Sequence, residues 1–402
     1  MLTFVLAFLL FATDPKQAVP LIQRGLLDLQ QGKLAEAQTT LEQAAKLDPG
    51  NPYVWTSLAE TYWRLRQPKQ AQEAARKAES AGNGNPVVAH ALAMFYSKTG
   101  QFGRAAQLEE QFAASPGADA GARSRAANLY LNAGEAAKAL PLAREAARAH
   151  PSATAEDTLG RVLVAAGQPD EGIKHLAEAW RQGKPSAEIA FNYAQMLLHG
   201  QDFTGAAAVL EQALQANSKN AQLTLALGVA RYGQRRFEDA IVAFLNTIAI
   251  DPRIDRPYVF LGRMLDQAGP HLAAIKKADE AWASANPKNA GAQLQLAKTM
   301  VASGGGPDQV ESVLRRSIAL DSHNWESHYE LGLLLSKRRE YREAAEELTS
   351  SIKLNPKAPM PHYHLARVYD RLGQPDRAKE EREIHQRLTS PAGSGMSNTA
   401  PQ

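Results

Sequence analysis

In the stretch beginning at Pro52, apolar residues stand at Trp55, Leu58, Ala59 and Tyr62, then at Ala71, Ala75 and Ala78, with polar residues filling the gaps. Steps of three and four mark one face of a helix, so each set predicts an amphipathic helix and the polar interval between them a turn. The double stripe returns along the chain. "LAEAQTTLEQAAKLDP" (34 to 49), "FEDAIVAFLNTIAIDP" (237 to 252) and "YREAAEELTSSIKLNP" (341 to 356) are paraphrases of one second helix, each closed by Asp or Asn before Pro. The residue before Pro is pushed out of helical geometry and the ring cannot continue the hydrogen-bond ladder, so the phrase carries its own stop signal.

A second signature lies upstream of each phrase, a Leu followed by Gly or Ala. It is found at Leu58-Ala59, Leu92-Ala93, Leu159-Gly160, Leu227-Gly228, Leu261-Gly262, Leu296-Ala297, Leu331-Gly332 and Leu365-Ala366. Anchored on these pairs, repeats start near residues 18, 52, 86, 120, 153, 187, 221, 255, 290, 325 and 359, at intervals of 34 residues with one of 33 and two of 35. Each repeat reads as two helices. Gly or Ala at position 8 and Ala at position 20 remove bulk where the two helices should cross, and a larger residue there would overpack at about 1–3 kcal/mol. One such hairpin cannot bury its apolar face alone, so stacked neighbours must complete the core.

The 34-residue period with this pattern resembles the tetratricopeptide repeat. Trp55, Leu58, Ala59, Tyr62, Ala71 and Ala78 match the family pattern in the second repeat, Leu227, Gly228, Ala240, Phe244 and Pro252 in the seventh, and Leu331, Gly332, Ala344, Leu348 and Pro356 in the tenth. The resemblance implies an all-α fold, an α-solenoid forming a right-handed superhelix of about eleven helix-turn-helix repeats over residues 18–388. Irregularity is expected at two places: the joint "ASPGADAGA" (114 to 122), and the ninth repeat, whose inter-helix turn is "SGGGPD" (303 to 308). The last second helix, "RAKEEREIHQRL", is charged as a water-facing cap should be, and residues 389–402 are small and polar, the composition of a disordered tail.

The first residues, 1–17, contain an apolar run from Leu2 to Ala12. It is shorter than the roughly 20 residues a spanning helix takes. It reads as the apolar core of a secretory signal with cleavage near Ala12, although no Lys or Arg precedes it. Export to the periplasm or cell envelope is the expectation, with a cytoplasmic protein as the alternative and no transmembrane span in the mature chain.

Composition narrows the chemistry. With 45 Lys and Arg against 42 Asp and Glu, the net charge is +3, which gives little support to a nucleic-acid partner. The chain has no cysteine, which excludes disulfides, thiolate metal sites and Cys nucleophiles. "GGGP" (304 to 307) lacks the Gly-Lys-Ser/Thr of a phosphate loop and falls between helices. His323, His328, His362 and His364 cluster late in the chain. His328 and His362 occupy position 4, filled elsewhere by Trp55 and Tyr258, so they read as substitutes for aromatic packing more than as metal ligands. Nothing interrupts the repeat to build a catalytic cleft, so no enzyme activity, cofactor or metal is expected.

What remains is the groove. In the family that this chain resembles, ligands contact positions 2, 5, 6, 9, 12 and 13 of the first helices. Those positions hold Ile22, Leu26, Trp63, His90 and Met94 early in the chain, and Phe191, Arg256, Phe260, Arg263, Lys298, Tyr329, Lys337, Tyr363, Arg367 and Arg371 later. Arg and aromatic residues are what binding hot spots are made of, and a basic surface with interleaved rings suits an acidic peptide. The family's constellation for chaperone tails is missing: Ser124, Asn128, Thr158, Glu188 and Asn192 stand at the corresponding places. The expected function is a non-catalytic scaffold that binds polypeptide segments of protein partners in assembling an envelope complex. The alternatives are a cytosolic regulator reading nucleic acid through the basic late groove, and an accessory subunit of an enzyme complex.

Overall fold

A computed structural model describes residues 15–182 and 186–390. The apolar run from Leu2 to Ala12 and most of the polar tail lie outside the described residues. The described chain is all-α, with 22 α-helices and two short 3-10 segments. Two compact units are distinguished, dividing between Met196 and Leu197.

The first unit holds α1 (Pro15–Gln30), α2 (Leu34–Leu47), α3 (Pro52–Arg64), α4 (Pro68–Ala81), α5 (Pro86–Lys98), α6 (Phe102–Ala113), α7 (Ala122–Asn132), α8 (Ala136–Ala149), α9 (Ala153–Ala165), α10 (Pro169–Gln182) and most of α11 (Ala187–His199). The second holds α12 (Phe203–Ala216), α13 (Ala221–Gly233), α14 (Phe237–Ile250), α15 (Arg256–Arg263), α16 (Leu272–Ala285), α17 (Ala290–Ala302), α18 (Pro307–Leu320), α19 (Trp325–Lys337), α20 (Tyr341–Leu354), α21 (Pro359–Arg371) and α22 (Pro375–Thr389).

Close crossing explains the small residues at position 8. A Cβ added to Gly25 would stand 2.6 Å from Leu41 Cγ, one on Gly228 2.6 Å from the Phe244 ring, and one on Gly332 2.7 Å from Leu348 Cγ. The two helices of a pair therefore touch backbone to side chain, and the buried Leu or Phe of the second helix fills the space a side chain would need. Caps set the boundaries. The Asn51 side chain accepts from Tyr53 N and Asn85 from Val87 N and Val88 N, each with Pro in the helix's first turn.

The turn inside each pair is also stereotyped. One residue per pair adopts positive φ at the same register, from Gly32 at 74° to Gly373 at 70°, and at Arg66, Gln201, Arg235 and Arg339 that residue is not glycine. In all pairs but the eighth, the following N–H bonds back to the carbonyl five residues earlier, as in Lys33 N to Asp28 O and Glu340 N to Leu335 O. This bond satisfies a carbonyl that the helix end leaves open.

The two places expected to be irregular are regular or clamped. In the ninth pair the extra residue is absorbed in the turn, where Gly304 takes φ 73° and Gly305 N closes on Met300 O. At the joint after α6, Arg125 grips Asp119 with two hydrogen bonds of 2.7–2.8 Å and reaches Glu109 at 2.7 Å. The guanidinium pulls the Asp119 carboxyl down to about 2. The break falls instead in the eighth pair. There α15 stops after eight residues, and the 3-10 segments Leu265–Gln267 and Gly269–His271 lead into α16. Pro270 offers no N–H to continue a ladder, and Gly269 before it takes φ 46°.

Candidate functional site: the first-helix faces

First helices of successive pairs touch one another. They do so between α1, α3 and α5 and between α7 and α9 in the first unit, and between α15, α17, α19 and α21 in the second. Each unit thus presents a row of first helices, and the positions proposed for ligand contact lie on those helices.

On α7, α9 and α11 of the first unit that row is occupied by its own polar network, whereas Leu26, Trp63 and Met94 on α1, α3 and α5 are exposed. Asn128 Nδ2 on α7 donates to Thr158 Oγ1 on α9 at 3.0 Å, and Arg161 Nη1 on α9 donates to Asn128 Oδ1 at 3.0 Å. Arg161 also stands 3.7 Å from Asp157, and Asn192 Nδ2 on α11 donates to both Asp157 oxygens at 3.0 and 3.1 Å. Burial pushes the Asp157 carboxyl up, with Glu188 adding to it, while Asn192 and Arg161 pull against it. Phe191 is half-buried beside Asn192.

In the second unit the row brings together several of the residues expected to bind. The Tyr329 ring on α19 lies 5.7 Å from His364 on α21. Tyr363 stands edge-on to His364 at 5.1 Å and is 5.4 Å from His385 on α22. Arg367 lies over the Tyr363 ring at 5.7 Å, a cation–π arrangement. Tyr363 and Arg367 are exposed, as are Lys337 and Arg371 at the ends of α19 and α21. Burial first, then the Arg367 and Lys337 cations and His385, hold His364 down at about 4. Burial and Glu330 push the Tyr329 hydroxyl up to about 12.

Other expected residues are placed differently. Phe260 is half-buried and packs against the core, stacked on Phe244 at 4.9 Å and edge-on to Tyr232 at 5.5 Å. Arg256 and Arg263 are exposed at the two ends of the shortened α15, apart from the ring cluster of α19 and α21. Lys298 is mostly covered and sits 3.6 Å from Glu326. Glu330 is pushed up by burial and by Glu326, against the pull of Lys298 and Lys337. The face is therefore mixed: its basic and aromatic part lies on α21 and the end of α19, and its α17 side is neutralised by carboxylates. Glu326, Glu330 and His364 stand at positions 2 and 6, which the contact register already marked; selecting only rings and cations passed over them.

His328 and His362 are structural. They turn Nδ1 to Glu347 and Glu381 at 2.6 Å, and Nε2 to the carbonyls of Ser322 and Pro356 at 3.3 and 3.4 Å. Trp55 and Tyr258, at the same position, donate to the carbonyls of Pro49 and Pro252. Imidazole, indole and phenol thus reach the same carbonyl, six residues back. Among the described residues no group of three or more His, Asp or Glu is gathered to hold a metal, and no helix is long and apolar enough to cross a membrane.

Family models described as tetratricopeptide repeat match residues 28–95, 158–221, 200–258 and 311–383. The chain belongs to the tetratricopeptide-repeat family. Members of this family generally mediate protein–protein interactions, and the repeat scaffold is in general non-catalytic. No curated protein matches the sequence. Similar solved structures include a tetratricopeptide repeat protein from Parabacteroides merdae, with 16% identity over 61% of this chain and 98% of that one at TM-score 0.49. Yeast Tom70 shares 15% identity over 94% and 93% at TM-score 0.42, and Pseudomonas aeruginosa PilF 18% over 62% and 99% at 0.40.

Proposed function

We propose that this protein is a non-catalytic scaffold that captures acidic polypeptide segments on the first-helix face of its last repeats, and that it does so in assembling a complex of the cell envelope. One observation carries the binding reading: Tyr329, Tyr363, His364 and Arg367 form a contiguous cluster of rings and cation, with Tyr363 and Arg367 exposed. Exposed aromatic rings beside Arg supply both apolar area and carboxylate contacts. Lys337 and Arg371 extend the positive charge at the ends of the same helices.

Fluorescence anisotropy with labelled peptides of equal length, one acidic with aromatic residues, one neutral and one basic, tests it. The acidic peptide should bind at least about ten-fold more tightly than the neutral one and weaken as salt is raised. Equal affinity for all three would end the reading, and tighter binding of single-stranded RNA than of any peptide would replace it. The envelope part of the proposal is supported by the apolar run from Leu2 to Ala12. Its test is N-terminal sequencing of the protein recovered from fractionated cells: loss of the first dozen residues supports export, and an intact Met1 in the cytosol rejects it.

A further inference from the structure

The eighth helix pair lacks the turn closure that its neighbours share, and a buried layer joins its two helices to α17. Tyr258 of α15 stacks on Trp282 of α16, rings 4.3 Å apart and 14° from parallel. Gln295 of α17 lies against Gly262, where any Cβ would collide with the amide. Asp279 of α16 is fully buried and accepts a hydrogen bond from Thr299 Oγ1 of α17 at 2.5 Å. Among the described residues that is its only hydrogen-bond partner. Asp279 Oδ1, Trp282 Nε1 and Gln295 Nε2 are all buried without a hydrogen-bond partner among the described residues.

A buried carboxylate with one neutral donor and no ion pair is poorly placed to keep a charge. The groups around it do little to help. From α15 comes the Tyr258 phenol, from α16 Glu280 with a like charge, and from α17 Lys298, whose ammonium is held by Glu326. The apolar Ile248 of α14 packs against the neighbouring Tyr258–Trp282 cluster. We propose that Asp279 is a pH-sensitive clasp. Neutral, it lets α16 pack on α17 and keeps the interrupted eighth pair closed; ionised, its buried charge loosens that pair.

The direction follows from linkage. Burial raises the Asp279 carboxyl to about 7, with the Thr299 bond and Lys298 pulling the other way. An acid raised in the folded state contributes its stability fully below the unfolded value and loses it as pH climbs through the folded one. The window therefore runs from the ordinary aspartate range up to about 7.

Hydrogen exchange of the full chain, read by mass spectrometry between pH 5 and pH 8 and corrected for the intrinsic rate, tests the clasp. Opening of residues 256–285 should rise by up to about ten-fold per pH unit to about pH 7 and then level off. In Asp279→Asn the same segment should open independently of pH. Thr299→Val removes the hydroxyl that favours the ionised form, so its rise should start in the same range and level off at a higher pH. A native protein without the rise, or Asp279→Asn with an unchanged rise, overturns the proposal. Should Asp279→Asn fail to fold, Thr299→Val decides, and an unmoved levelling-off then counts against the clasp.

Discussion

Two stretches of first helices, α7 to α11 and α19 to α21, are built from the same repeat and treat their contact positions in opposite ways. In the first unit Asn128, Asp157, Thr158, Arg161 and Asn192 spend their hydrogen bonds on one another across α7, α9 and α11. In the second, Tyr363, Arg367, Lys337 and Arg371 face solvent, while on the α17 side Glu326 pairs with Lys298. A polar group satisfied inside the fold gains little from a ligand, because binding must first break what it replaces. Contact register alone therefore does not make a binding surface; the register must also be left unspent.

The sharpest break of this comparison is Arg161→Ala. It leaves the buried Asp157 without its cation and Asn128 without a donor, and should cost about 1–3 kcal/mol. Faster exchange across residues 122–199 would report it, with acidic-peptide affinity unchanged. Next in size, Lys337→Glu combined with Arg367→Glu should lower acidic-peptide affinity at least about ten-fold, near 1.4 kcal/mol. Because both side chains are exposed, stability should move by less than about 0.5 kcal/mol. If melting shifts and binding does not, the assignment of roles to the two faces is reversed. The smallest effect is the most local. His364 is lowered in the folded state, so its contribution to stability is present above the ordinary histidine range and is lost as pH falls towards about 4. Its ring proton resonance should titrate near there, and a bound acidic peptide should move the midpoint upward.

Much of the fold was legible because it rests on spacing. Gly228 against Phe244 and Gly332 against Leu348 are position 8 meeting the second helix, and no long-range information is needed to place them. The break in the eighth pair was not foreseen. Pro270 alone does not mark it, while composition points to the glycine-rich turn at Ser303 to Gly306, where a left-handed Gly304 simply absorbs the extra residue. For the site, rings and cations at contact positions could be named from the register. Two facts could not. Phe260 is drawn against the core by Tyr232 and Phe244, and Lys298 is neutralised by Glu326. Both depend on which side chains meet across helices, a matter of packing that spacing along the chain does not encode.

The Asn caps of α3 and α5 have one more consequence. Asn51 before Pro52 and Asn85 before Pro86 are the same junction, with the same side chain holding the next helix's amides. Excising residues 52 to 85 would join Asn51 directly to Pro86 and recreate that junction at the cut. At this place the molecule can thus be shortened by one whole helix pair, like a bead slipped from between two matching knots.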